Sequence, residues 1–215
     1  MKKLERSNAP ACLANLVSGR DGWDSADKAQ IWEALDLMQG GFCAYCECQL
    51  GRMHIEHFKT RSSYRDLTFD WNNLFGSCGD SSQKGGWLRC GIYKDNGAGT
   101  YDPELLIKPD ISNPSDYLLF LTTGTIRPNA NLSEKNKLIA TETIRVFNLN
   151  NDSTLFGRRK NAIMAELHEI EVFYDIIADL TDDERNELLQ DALSRIESLE
   201  FSTALIHAWS FNTMY

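Results

Sequence analysis

Two histidines and a carboxylate crowd into the string Met53-His54-Ile55-Glu56-His57-Phe58-Lys59. A neutral imidazole titrates near physiological pH, so it can take a proton from water. A carboxylate beside it offers oxygen to a hard divalent cation such as magnesium. Base and cation together suit attack on a phosphodiester: one activates water, the other offsets charge on the phosphate and the leaving oxygen. Two further strings could complete such a site. Asp70-Trp71-Asn72-Asn73-Leu74-Phe75 supplies amides, and Cys90-Gly91-Ile92-Tyr93-Lys94-Asp95 ends in an ammonium and a carboxylate.

Cysteines bracket these strings. Four of the six lie between positions 43 and 78, and Phe42-Cys43-Ala44-Tyr45-Cys46 is a Cys-x-x-Cys knuckle. In a reducing compartment such clusters bind metal more often than they form disulfides. Cys43, Cys46, Cys78 and Cys90 can close a tetrahedral zinc site, which leaves no open position for catalysis and staples a module too small to bury its own core. The insert Gly79–Arg89 between the last two is long for such a site, and Cys48 could replace one ligand. Cys12 reads as an ordinary core thiol.

The order of these strings resembles the HNH endonuclease family, of the ββα-metal type. There a Cys-x-x-Cys precedes an acidic-His pair, then an Asn-Leu, then a Cys with a Lys four residues on. The resemblance implies that His57 is the general base and that Glu56 helps to hold a catalytic divalent metal, magnesium first. Asn73 would hydrogen-bond across the loop and orient the base. His54 would ligate metal, contact phosphate or stack. Lys94, Lys59 and Arg61 would contact nucleic acid, with Arg65, Lys84 and Arg89 as weaker candidates. One position departs from the family. Gly91 and Ile92 stand where Asn or His normally follows the last cysteine. Asp95 or His54 could supply that ligand, or phosphate and water could complete the shell.

A narrower resemblance lies in Cys-Ala-Tyr-Cys-Glu, Ile-Glu-His-Phe-Lys-Thr-Arg-Ser and Phe-Asp-Trp-Asn-Asn-Leu-Phe-Gly-Ser-Cys. These are similar to the nuclease subunits of Septu-type anti-phage systems, the PtuB-like branch, over roughly residues 30–130. That branch implies a PtuA-like ATPase partner. It also occurs beside retron reverse transcriptases, which makes that enzyme and its msDNA further candidate partners.

The elements expected to position these residues give an α+β fold: a small zinc-stapled ββα-metal module embedded in a mainly α-helical protein. Residues 1–41 form an arm and a helix, which starts at a cap on Asp24 or Ser25, buries Ile31, Leu35 and Met38, and stops at Gly40-Gly41. Residues 42–95 are the module. Residues 96–132 are a connector with a strand near Tyr117–Leu121. Residues 133–215 are helical and a candidate partner-docking region. One helix spans Ser133–Phe147, with Leu138, Thr141, Ile144 and Val146 near its buried side. Another spans Thr154–Asp179. A third runs Asp182–Thr203, with Thr181 and Glu184 as a capping box. The aromatics Phe147, Phe156, Phe173 and Tyr174 read mostly as core, and Leu205–Trp209 with Phe211 as a further docking candidate.

Composition excludes a transmembrane span, since no run of about 18 apolar residues exists. The charged N-terminus lacks the apolar run of a signal peptide, so a cytoplasmic location is expected. The net charge of −9 runs against nucleic-acid binding, but its distribution is uneven. Residues 1–49 carry −2, residues 50–95 carry +2 and residues 96–215 carry −9. The motif-bearing segment is the basic one, but the acidic C-terminal part would repel a phosphate backbone, so a more basic partner is expected to supply affinity. The function expected is endonucleolytic cleavage, of DNA first. RNA cleavage, for example of tRNA, and a non-catalytic zinc-binding adaptor are the competing readings.

Overall fold

In the computed structural model, residues 1–52, 54–80 and 88–212 are described, with side chains through Ser210. Met53, Lys84 and the Phe211 side chain, all singled out above, lie outside the described residues. Helix α1 spans Lys28–Gln39. Its cap is Asp27, whose carboxylate accepts from the amides of Ala29 and Gln30. The start expected at Asp24 or Ser25 is corrected: Trp23–Ser25 is a separate 3-10 turn, ended by Ala26 in extended backbone. Gly40 closes α1 at φ +65, a left-handed conformation that glycine adopts without steric cost. Ile31, Leu35 and Met38 are buried as expected.

The module is built on two very short strands. Strand β1 (Ile55–His57) pairs antiparallel with β2 (Leu74–Gly76), Glu56 facing Phe75 and His57 facing Leu74. Helix α2 (Cys90–Asn96) packs against β1, and α1 packs against β2. The Gln39 side chain latches α1 to the hairpin by accepting from Gly76 N at 2.7 Å and donating to Gly76 O at 2.9 Å. A two-stranded hairpin is marginal in water. Here it is held between two helices.

The connector forms a second hairpin, β3 (Leu118–Phe120) with β4 (Ile126–Pro128), where a strand was expected. Helix α3 (Glu134–Val146) starts at the Ser133 cap. Its buried face is Ala140, Thr143 and Val146, whereas Leu138 is 47% exposed and Thr141 is also exposed. The expected face is corrected because Thr143 Oγ1 turns inward to accept from Ile107 N at 2.8 Å. Helix α4 (Ser153–Ile176) is capped by Asp152. Its Arg159, 1% exposed, donates to the carbonyls of Gly124 at 2.7 Å and Leu149 at 2.9 Å, tying the second hairpin to the end of α3.

Helix α5 (Asp182–Ile196) carries the expected capping box of Thr181 and Glu184. It ends at Ile196, not at Thr203. A distinct helix α6 (Ser202–Asn212) follows. The break has a tertiary cause: Glu47, in the cysteine knuckle, accepts from Ser202 Oγ and Thr203 N, both at 2.9 Å. Phe201, at φ +60, gives its amide to the Glu47 carbonyl. Helix α6 packs along α4 and against β3. Leu205 and Trp209 are therefore core, 2% and 3% exposed, which corrects their reading as a docking tail. No helix among the described residues is long and apolar enough to cross a membrane.

Candidate functional site

Three separate segments deliver the cysteines. Cys43 and Cys46 lie in the turn after α1, Cys78 follows β2, and Cys90 opens α2 at φ +57. All four are buried, and their sulfurs lie within 4.8 Å of one another. Bonds of about 2.3 Å to a tetrahedral ion put sulfurs roughly 3.8 Å apart, so the set fits a single soft divalent ion. The electrostatics agree. Burial pushes the Cys90 thiol up and the crowding thiols push Cys78 up. At Cys46 burial is outweighed by hydrogen bonds from its neighbours, which bring it down to about 5, so one thiolate is favoured and four need a cation to coexist. An ion held by all four would tie the hairpin to α2. Cys48 is buried beside the four without belonging to the group. Cys12 is half-buried near α1 and donates to the Asp27 carbonyl.

Alternation along β1 separates the reactive strings onto two faces. His54 and Glu56 share one face. Glu56 is fully buried, with Oε2 at 2.8 Å from His54 Nε2 and Oε1 at 2.8 Å from Lys94 Nζ. Ion-paired with Glu56, the Lys94 ammonium directs its hydrogen bonds to Asp95 Oδ1 at 2.5 Å, the His57 carbonyl at 3.2 Å and Tyr101 Oη at 3.2 Å. Lys94 is only 1% exposed, so it is the hub of a buried network rather than an open cation. Burial works against the Glu56 charge, but Lys94 and His54 outweigh it and hold that carboxyl below its usual range. Burial and the Glu56 charge raise Asp95 to about 6.

Gly91 explains the departure at the third motif. A Cβ there would sit 2.0 Å from Glu56 Oε2 and 2.4 Å from its Cδ. The missing side chain is the space the Glu56 carboxylate fills. No signal in the sequence joined these two positions.

His57 takes the opposite face of β1 and is 5% exposed. Its Nε2 lies 3.0 Å from the Thr68 carbonyl, which can only accept, so Nε2 carries the proton and Nδ1 is left as the basic nitrogen. Burial lowers its pKa to about 4, leaving the ring neutral at neutral pH. The Trp23 indole meets the imidazole edge-on, with centroids 4.5 Å apart. Asn73 is buried and clamps the loop between β1 and β2. Its Oδ1 accepts from Lys59 N at 2.8 Å, and its Nδ2 donates to the carbonyls of Lys59 at 2.9 Å and Leu67 at 3.2 Å. The loop that carries Thr68 is thereby held over the His57 ring.

Beside this constellation opens a cleft of about 510 Å³, lined by Arg61, Tyr64, Lys94, Asp95, Tyr101 and neighbouring hydroxyl groups. Among the expected phosphate contacts, Arg61 and Arg65 are exposed, Lys59 pairs with Glu104 at 2.5 Å and Arg89 pairs with Asp152 at 2.8 Å. The sequence pattern did not reveal Trp23 or Thr68. Trp23 sits in the irregular arm, and Thr68 acts through its backbone.

No family model matches the chain. It is 32% identical over 133 residues to Septu protein PtuB of Bacillus thuringiensis, covering 55% of this chain and 46% of that protein. The chain thus spans about half the length of that relative. It is 28% identical over 175 residues to the HNH endonuclease candidate of retron Vc95 in Vibrio cholerae, covering 74% of this chain and 82% of that protein. With the site's geometry in view, the chain is similar to a Septu PtuB protein and to a retron HNH endonuclease candidate, both proteins of defence systems by name.

Proposed function

We propose that this chain is a metal-dependent HNH endonuclease, the nucleic-acid-cleaving effector of a bacterial anti-phage complex, with DNA as its substrate. The observation that carries this reading is the setting of His57. It sits on the first strand of a ββα unit, Nε2 is anchored on the Thr68 carbonyl, Nδ1 is left basic, and Asn73 braces the loop above it. His57 Nδ1 takes the proton of the attacking water, while the Thr68 carbonyl fixes the tautomer and steadies the imidazolium that forms. The four-cysteine cluster holds a structural zinc ion.

Glu56, expected to help hold the catalytic divalent metal, is the buried partner of Lys94 and His54 here. The carboxylate that reaches the cleft is Asp95, and one carboxylate with substrate phosphates is a set that magnesium accepts. When bound, such a cation would offset charge on the phosphate and the leaving oxygen. Lys94 holds Asp95 in place and, through the His57 carbonyl, ties α2 to the strand that presents the base.

Residues 42–95 are the nuclease module. The helices after Ser133 are the face for a PtuA-like ATPase partner, with retron components as further neighbours, in the cytoplasm. Phe147 and Phe173 are core. Apolar side chains turned outward there include Leu138 on α3, Met164, Val172 and Ile176 on α4, Leu188 on α5 and Leu199 just beyond it.

The test is a cleavage assay on DNA and on total RNA with magnesium, with and without the ATPase partner. His57→Ala is expected to keep its fold and zinc content and to lose cleavage. Cys43→Ala is expected to lose zinc and solubility together. Full cleavage by His57→Ala would remove it as the base, and cleavage of RNA alone would change the substrate. A folded, zinc-loaded wild type that cuts nothing, even with its partner, would favour an adaptor.

A further inference from the structure

The N-terminal arm reaches the candidate active site through Trp23. The indole stands edge-on to His57 and gathers two cations over its ring, Lys28 Nζ at 4.2 Å and the Arg61 guanidinium at 5.6 Å from the centroid. Beside it lies a recess of about 340 Å³, whose walls include Trp23, Arg61, Ser62, Arg65, Thr68 and Asp21. The one acid in that wall is engaged, because Asp21 accepts from Arg20 at 2.7 Å and from Val17 N at 2.8 Å. Arg61 and Arg65 are exposed, and among the described residues neither forms an ion pair. Their neighbours Arg20 and Lys59 do, with Asp21 and Glu104.

Arg61 and Ser62 also line the larger cleft that holds Lys94 and Asp95. Arg61 and Ser62 therefore stand between the two clefts, and Trp23 and Thr68, which wall the recess, both contact the His57 ring. Two guanidiniums without carboxylates suit a phosphate, for which arginine offers paired donors. An indole wall suits a base or sugar. The recess has the size of a small-ligand site and admits one nucleotide rather than a duplex.

We propose that Trp23, Arg61 and Arg65 form a subsite for one nucleotide of an unpaired strand, next to the phosphodiester presented to His57. This rests on the nuclease reading and adds substrate form to it: a single-stranded or locally opened segment passes over Arg61 and Ser62, with phosphates on either side of the base.

Binding can be measured in a His57→Asn background, which blocks cleavage and keeps a side chain beside Trp23. The probes are a short dye-labelled single strand and its duplex, followed by anisotropy at low salt. The single strand should bind more tightly. Arg65→Ala and Trp23→Ala should each weaken it by about tenfold, within the range of one base stack or charge-assisted contact, and Trp23→Phe should recover most of the loss. Undiminished binding by Arg65→Ala and Trp23→Ala overturns the subsite and leaves the nuclease reading intact, as does a preference for duplex. A chain that neither binds these probes nor, as wild type with its partner, cleaves any nucleic acid overturns both.

Discussion

Glu56, Gly91 and Lys94 act as one unit at the residue scale. The carboxylate fills the space that Gly91 leaves, and the ammonium compensates a charge that burial would otherwise penalise. Gly91→Ala should cost about 3 kcal/mol or more, through overpacking and displacement of a buried ion pair. The urea midpoint checks this, and an unshifted midpoint would show that Glu56 has room to move. His57 supports a second prediction. Its folded pKa of about 4 lies below the ordinary 6.5. Between those values the unfolded chain binds the extra proton, so the stability involved is present above 6.5 and is lost as pH falls toward 4. Wild type should lose about 1–2 kcal/mol more than His57→Gln between pH 7 and pH 5. Asp95 titrates in part of the same window with opposite sign, and both proteins carry it. Parallel pH dependence in urea titrations would mean that the imidazole is solvated. The identities of His57 and Asn73 were legible from motif order. That Glu56 is sealed against Lys94 was not, because partners 38 positions apart in the chain meet only when α2 docks on β1.

Among the elements, local signals placed the starts of α3 and α5 but set the start of α1 at Asp24 or Ser25, where the cap is Asp27. The Ser133 cap and the Thr181–Glu184 capping box satisfy amides within a few residues, and both helices begin where those residues stand. The break between α5 and α6 is different, because its cap comes from Glu47 in the cysteine knuckle. Glu47→Ala should therefore loosen the start of α6 while leaving α5 intact, at a cost of about 3 kcal/mol or more, because it removes the cap and also strips the buried N-terminal ammonium of its partner. Hydrogen exchange reads this directly: faster amides at 202–205 with unchanged protection in 185–195 are expected. Equal loosening of both helices would assign Glu47 a global role. The same contact makes the cysteine cluster and the C-terminal helix one structural unit, so loss of metal should be felt in α6.

On the scale of the whole molecule, charge opposes the proposed task. The chain carries −9, and the positive balance is confined to residues 50–95. Several of those cations are already spent: Lys59 on Glu104, Arg89 on Asp152 and Lys94 on Glu56. Few remain for phosphate, so the chain alone should bind nucleic acid weakly and lose about tenfold or more between 50 and 200 mM salt. Adding the proposed PtuA-like ATPase should restore binding at the higher salt. Tight, salt-resistant binding by the isolated chain would remove the need for a basic partner.

What the sequence determined by itself depends on residue type and short spacing: the cysteine knuckle, the loop-spanning Asn73 and the helix caps at Ser133 and Thr181. These survive without coordinates because their partners lie nearby or follow one after another in a recognisable order. What the tertiary structure decided was which groups are available. It sealed Glu56 and Lys94 together, left Asp95 at the cleft, turned Leu205 and Trp209 into core, and brought Trp23 from the N-terminal arm to the edge of His57. Availability depends on burial and on long-range pairing, and a linear pattern of residue types carries neither.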